Sequence, residues 1–458
     1  MKVSAVQKYK ISLSLLMIAA VATIDYASAR SYESGTLKNN YGHKKQIEVS
    51  DSNSDWDDGW TDDSWDNQDS RFWKWSGYTE LAFGYRLQED PLIGDSRNSL
   101  GELRQQIELT HSAIVWQFSA KADLIADSVT EEFELDLRKA EFAWSPSPAW
   151  DLKLGSQVLT WGTGQYLFVN DLFPKDWQSF FAGRDDEYLK APAIALKASY
   201  FSHRFNLDLV WLPEFTSDRY ITGERFSFFS PDTNMQVAPE PHFDADEPDN
   251  SELAIRLFKT FDTIEAAIYG YRGYWKTPSG LDQVGTAYHP RLNVVGASLR
   301  GPVSRGIGNV EMAWYDSKEE PGGNTARTPT NQFRLLLGYE QEIAARLTAA
   351  GQFYLEWLQD YEQLEQPRPS LYNSDEYRQV LTFSLRYRTL QDRLILHWFS
   401  FYSPSDRDYF LKPSAHYRIN DHWQLTAGLN IFGGDSPHTT FAQMEKSSNS
   451  YVRVRYQY

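Results

Sequence analysis

Residues 450–458 read SYVRVRYQY, and from Val452 onward the even positions are apolar or aromatic while the odd ones are charged or polar. A period of two puts Val452, Val454, Tyr456 and Tyr458 on one face of a strand and Arg453, Arg455 and Gln457 on the other. A half-buried strand of a soluble protein alternates in the same way. Whether the greasy face meets a protein core or lipid has to come from the rest of the chain.

The bulk properties narrow the choice. The 458 residues include no cysteine, which excludes disulfides and thiolate metal sites. Aromatic residues make up 15%, yet the mean hydropathy is −0.55. No apolar run after residue 30 approaches the ~18 residues of a membrane helix. Many aromatics, a polar average and no helical span are what a transmembrane β-barrel gives, because its lipid-facing and lumen-facing residues alternate and cancel. At the other end, Lys2, Lys8 and Lys10, the apolar stretch ISLSLLMIAAVAT and the small-residue site Ala27–Ala29 predict a cleaved signal peptide over 1–29. Its removal takes away three lysines and one aspartate and brings the net charge from −17 to −19, which argues against nucleic acid as a partner.

Residues 30–70 are expected to form a disordered acidic segment on the periplasmic side: Trp56, Trp60 and Trp65 recur among aspartates with no periodicity. Asp51, Asn53 and Asp55 imitate the start of a calcium loop, but Trp56 stands where glycine is needed and no glutamate occupies the twelfth position.

From Arg71 to Tyr458 one strand follows another. In YTELAFGYRLQ, Leu81, Phe83, Tyr85 and Leu87 alternate with Glu80, Ala82, Gly84 and Arg86; in GELRQQIEL, Leu103, Gln105, Ile107 and Leu109 alternate with Glu102, Arg104, Gln106 and Glu108. The same pattern predicts strands near 74–88, 102–110, 114–125, 132–144, 150–161, 191–201, 204–213, 251–259, 263–273, 289–300, 308–315, 331–341, 346–357, 377–388, 391–402, 408–419, 422–432 and 449–458. Each is close to the ~9–11 residues with which a tilted strand crosses a bilayer.

The connections test this independently. THSA, FSHR, KTFD, EIAA, TLQD and RIND are short, whereas EDPLIGDSRNSLG, 162–190, 214–250, KTPSGLDQVGTAYH, SKEEPGGNTARTPTN and 358–376 are long and fall on the opposite end of the strands. Segregated loop lengths predict an all-β fold: a single transmembrane antiparallel β-barrel over 71–458, of about 18 strands with 16 the alternative, with short periplasmic turns and long extracellular loops. The greasy face of 450–458 then meets lipid, since arginine there costs about 2–4 kcal/mol at the bilayer midplane.

The residues VLTWGTGQ, VNDLFPKDW and DDEYLKAPAIALKASY, followed by LDLVWLPEF, carry a resemblance. With Trp161-Gly162 at a strand end, then Asp171, Pro174 and Asp176, and a charged stretch from Arg184 to Pro192, the chain resembles a poorly characterised family of porin-like outer-membrane proteins of Gram-negative bacteria. Its ending also resembles the signature by which such barrels are recognised for insertion, with Tyr458 where phenylalanine is usual. The resemblance implies an outer-membrane porin or substrate-selective channel. Its implied partners are the lipid bilayer and lipopolysaccharide, the barrel-insertion machinery, a small hydrophilic or amphiphilic solute, and a homo-oligomer or periplasmic partner, with no cofactor. In porins the third connection on the long-loop side folds into the lumen, so 162–190 is the expected constriction, the alternative being a compact external cap.

That segment is rich in Tyr166, Phe168, Phe173, Trp177, Phe180 and Phe181, which a loop in water has no use for. Its candidate constriction residues are Asp171, Asp176, Arg184, Asp185, Asp186, Glu187 and Lys190. The wall contributes candidate lumen-lining residues Arg86, Glu102, Arg104, Glu108, Arg138, Lys153, Lys197, Arg256, Arg334, Lys412, His416 and Arg453, whose plainer role is to pair across strands. No histidines have metal-ligand spacing. An embedded hydrolase would have to use Lys412, Ser414, His416 and His397. Residues two apart on one strand are ~7 Å apart, too far for a nucleophile and its base, so no enzyme is expected. A third class is an export or scaffold barrel that uses the acidic 30–70 segment to engage partners.

Overall fold

A computed structural model of the chain describes residues 73–94, 97–230, 233–282, 286–319, 328–365 and 375–458. The expected signal peptide and acidic segment lie outside these residues. The first half of the wall comprises β1 (Lys74–Arg86), β2 (Asn98–Ser112), β3 (Trp116–Asp127), β4 (Glu132–Ser147), β5 (Trp150–Val158), β6 (Pro192–Phe201), β7 (Asn206–Leu212), β8 (Glu252–Phe261) and β9 (Ile264–Tyr274). The second half comprises β10 (Arg291–Val303), β11 (Gly306–Ser317), β12 (Gln332–Ala344), β13 (Leu347–Leu358), β14 (Tyr377–Thr389) and β15 (Leu394–Ser403). It continues with β16 in two pieces (Asp408–Leu411 and Ser414–Arg418), β17 (Trp423–Gly434) and β18 (Asn449–Gln457).

Each strand pairs antiparallel with its sequence neighbours, and β18 pairs with β1, so the sheet closes into a barrel of 18 strands. At the seam Tyr78 faces Gln457 and Arg86 faces Asn449. Gly77 sits where the ends meet: a Cβ there would lie 2.2 Å from the Gln106 carbonyl oxygen, so only glycine fits the approach.

Alternation sorts the side chains as the sequence predicts. Leu81, Phe83, Tyr85, Leu103, Ile107, Trp211, Leu253, Ile255 and Val452 are exposed on the outer face, while Glu80, Glu102, Arg104, Asp123, Asp136, Glu311 and Arg453 are buried on the inner one. A barrel whose outer face is apolar and whose inner face holds charge is inverted relative to a soluble protein, the pattern a lipid solvent selects.

The departures from the expected strands are local. β2 begins at Asn98, where Asn-Ser-Leu-Gly reads as a turn but pairs with β1 up to Tyr85. β16 is interrupted at Lys412 and Pro413, because proline has no N–H for the ladder. Between β3 and β4 the register shifts at Lys121/Ala122, leaving Arg138 as the extra residue of a bulge. Two connections at the long-loop end are themselves short, 128–131 and 404–407.

Candidate functional site

The segment between β5 and β6 runs inside the ring of strands. Gly162, with φ of 83°, turns the chain inward; a Cβ there would stand 3.0 Å from Glu311 Oε1. Glu311, buried on β11, accepts from the Thr163 N–H and from Asn170 Nδ2 (3.0 Å), while Tyr315 donates to the Val169 carbonyl (2.7 Å). One carboxylate therefore holds two points of the segment that are seven residues apart in sequence.

A short α-helix, α1 (Trp177–Ala182), follows. Asp176 caps it, its carboxylate accepting from the Ser179 N–H and Oγ (both 2.7 Å). Gly183 ends it with φ of 89°, pressed against the Tyr451 ring of β18. The next long connection packs beside it: Arg219 donates to Asp136 (2.6 Å) and Asp176 (3.2 Å), and Asp218 accepts from the Lys175 N–H (2.8 Å) and Trp177 Nε1 (2.9 Å).

After the helix come four consecutive charged residues, each meeting a cation or anion of the wall. Arg184 donates twice to Glu102 on β2 (2.8 and 2.6 Å). Asp185 accepts from Arg453 (2.9 Å) and Arg455 (3.0 Å) on β18. Asp186 accepts from Lys412 at the break in β16 and from Tyr166 Oη (2.5 Å). Glu187 accepts from Lys121 on β3 (3.2 Å). Arg138 donates to the Glu187 and Lys190 carbonyls (2.9 Å each), and Tyr188 lies under both Arg104 (4.1 Å) and Arg138 (4.8 Å). Burial alone would raise the Asp185 carboxyl; Arg453 and Arg455 outweigh it and hold the group well below the usual carboxylate range. Asp186 is likewise lowered against its burial, by Lys412 and Tyr166.

A second attachment is apolar. Tyr166, Phe180 and Phe181 meet Phe399 and Phe401 of β15, Phe410 of β16 and Phe432 of β17, with ring centroids at 4.7 Å for Tyr166–Phe399, 5.6 Å for Phe180–Phe410 and 5.5 Å for Phe181–Phe432. All seven are buried. Removing an aromatic ring of this kind from water stabilises by about 1.5–3 kcal/mol.

Of the other sequence candidates, Asp171 accepts from Lys175 (3.0 Å) and Thr160 (2.9 Å), and Lys190 donates to Thr160. Arg86 donates to the Asn98 and Arg225 carbonyls (2.9 and 3.0 Å). Arg104 bridges Asp123 (2.7 Å), and Glu108 stands opposite Lys121 in the β2–β3 register. Lys153, Lys197, Arg256 and Arg334 pair along the wall with Glu141 (3.9 Å), Asp208 (3.8 Å), Glu265 (2.6 Å) and Glu356 (3.2 Å). The structure thus brings Glu102, Arg104, Arg138, Lys412 and Arg453 to the inserted segment and leaves Lys153, Lys197, Arg256 and Arg334 with wall partners.

His416 meets Thr426 Oγ1 (2.9 Å), His397 meets Ser384 Oγ (3.1 Å), and Lys412 is engaged by Asp186. Missing from the sequence-based set are Arg219, Tyr188 and the four wall phenylalanines, while Glu311 was expected to face the lumen without its role as an anchor of the segment. The run HWFSFY carried a signal: aromatic residues on both faces of one strand mark a wall that is apolar inside as well as outside.

No family model matches the chain, and no curated protein matches it. Among solved structures, OccK5 (OpdH) of Pseudomonas aeruginosa aligns over 84% of this chain and 97% of its own at 10% identity, with a TM-score of 0.51. The outer membrane channel DcaP of Acinetobacter baumannii gives 9% identity, 84% and 97% coverage and a TM-score of 0.42. Salmonella typhi OmpF, in complex with daunomycin, gives 10%, 85% and 98%, and 0.43. At such identities the likeness is one of fold, and the fold is a closed porin-like β-barrel.

Proposed function

We propose that this chain is an outer-membrane channel for small hydrophilic or amphiphilic solutes, with 162–190 as its constriction. The observation that carries the reading is the reach of that segment, which contacts inward-facing residues of β2, β11, β16 and β18, on well-separated parts of the ring. A barrel of this strand number is wide enough for water, so what fills the inside determines what passes. Here the filling is the inserted segment, with four ionic contacts at one edge and an aromatic contact at the other, together with the part of 214–250 that packs beside it. A solute crossing the barrel passes between this segment and the wall, or displaces its charged edge.

The test is single-channel recording of the purified mature chain in planar bilayers across a salt gradient. Discrete open steps, with a reversal potential that shifts when Arg184 or Asp185 is neutralised, are expected. A folded, heat-modifiable barrel that conducts nothing at any voltage overturns the channel, and a reversal potential indifferent to both substitutions overturns the constriction.

A further inference from the structure

The connection from β7 to β8, residues 214–250, does not stay on its own side of the ring. It first runs beside α1, where the Trp177 N–H and Gln178 Nε2 donate to the Arg219 (3.1 Å) and Tyr220 (2.7 Å) carbonyls. It then reaches the far rim. Ser227 donates to Asp90 after β1 (2.6 Å), and Gln236 donates to the Gln443 carbonyl between β17 and β18 (2.8 Å). Next to Ser227 in this crossing, Arg225 is buried at the ends of β2 and β3. It donates to the Ser99 carbonyl (2.9 Å) and to Asp127, while its own carbonyl accepts from Arg86 (3.0 Å).

This arm and the inserted segment use the same two carboxylates. Glu102 accepts twice from Arg184 of the inserted segment, and the same oxygen lies 3.8 Å from Arg225. Asp127 accepts from Arg225, and the same oxygen lies 3.5 Å from Arg184. Arg104 stands behind them, 3.3 Å from Glu102 and 2.7 Å from Asp123. Glu102, Asp123 and Asp127 thus balance Arg104, Arg184 and Arg225. Charges shielded from water interact far more strongly than charges at a surface. Removing one cation from a balanced group leaves more carboxylate charge to those that remain, so the two loops compete.

We propose that 214–250 is a lid over the long-loop mouth, coupled with negative sign to the constriction through Glu102 and Asp127, so that releasing either loop tightens the hold on the other. When Arg225 leaves, Asp127 turns to Arg184; when Arg184 leaves, Glu102 turns to Arg225. Lid and constriction open in turn and not together, and a solute passes in two steps. The passage of solute rests on the channel reading, whereas the coupling rests on the shared carboxylates alone.

Chymotrypsin cuts at aromatic residues, which both loops carry and which an arginine substitution leaves in place. The full mature chain in detergent is digested briefly and the cuts are mapped by mass spectrometry. In R225Q, cutting within 214–250 is expected to rise about tenfold and cutting within 162–190 to fall about threefold; in R184Q the two exchange, as linkage requires. D127N removes a carboxylate that both arginines approach, so cutting rises in both loops. More cutting in both loops of R225Q, or no change within 162–190, overturns the coupling and leaves Arg225 as a brace of the rim. Should R225Q fail to fold, R184Q decides alone: cutting within 214–250 that rises or stays level overturns it. The expected cutting pattern in a chain that conducts nothing in planar bilayers overturns the channel instead, which separates the two ideas.

Discussion

The inserted segment is held at its two edges by opposite chemistries. From Arg184 to Glu187 it is pinned by ion pairs to β2, β3, β16 and β18; at Tyr166, Phe180 and Phe181 it is pinned by rings to β15, β16 and β17. An ionic contact weakens with salt and depends on protonation, whereas a ring contact scales with buried area and ignores both. One edge is therefore adjustable by the medium and the other is a hinge that stays closed.

The largest consequence is at the aromatic edge. Phe180→Ala empties a site bounded by Phe181, Phe401 and Phe410 and is expected to cost about 3–5 kcal/mol. The loss should be equal at low and high salt when read as protease protection of 162–190; a strongly salt-dependent loss would contradict the division.

Next comes Asp185→Asn, which takes a charged partner from Arg453 and Arg455 and is expected to weaken docking by about 1.5–3 kcal/mol. Cleavage within the segment should rise about tenfold or more at low salt. The difference from wild type should shrink at about 1 M salt, where the screening length is about 3 Å.

Acidification acts on the same edge. Asp185 and Asp186 are lowered in the folded chain, so their stabilisation is complete above the unfolded carboxylate value of about 3.9 and is lost as the pH falls below it. Asp218 is raised by burial, so its contribution has the opposite sign, and Asp218→Asn should leave the acid release of the charged edge in place. Conductance recorded from neutral pH down to about 3 should therefore change mainly below about pH 4. A transition confined to pH 6–7 would point away from these aspartates.

The smallest effect is expected at Gly162→Ala. The positive φ and the close approach to Glu311 predict a loss of about 1 kcal/mol, read as a small shift in the heat-modification midpoint.

The wall was legible because its information is local: alternation within ten or so residues assigns each side chain to a face, and every expected strand has its counterpart. The strand expected over 408–419 ran through Pro413, where the structure breaks it, and Asn98–Gly101 misled because polar, glycine-bearing sequence can still pair at a barrel rim. Arg184 to Glu187 could be singled out as charge on an apolar loop. Their partners could not, because Glu102, Lys412 and Arg453 come together only once the ring closes. Glu311 was one of many inward carboxylates, and its role depends on the path of a loop that alternation does not describe.

The Asp185–Arg453 contact joins residues 268 positions apart, and Lys412–Asp186 joins residues 226 apart. Neighbouring strands can pair as soon as both exist, but contacts of such separation form late because chain entropy opposes them. The inserted segment thus waits for β16 and β18, and until then its rings have one another but lack their partners on β16 and β17. A barrel built hairpin by hairpin would be hollow through most of its assembly, and it would acquire its interior only in the step that joins its two edges.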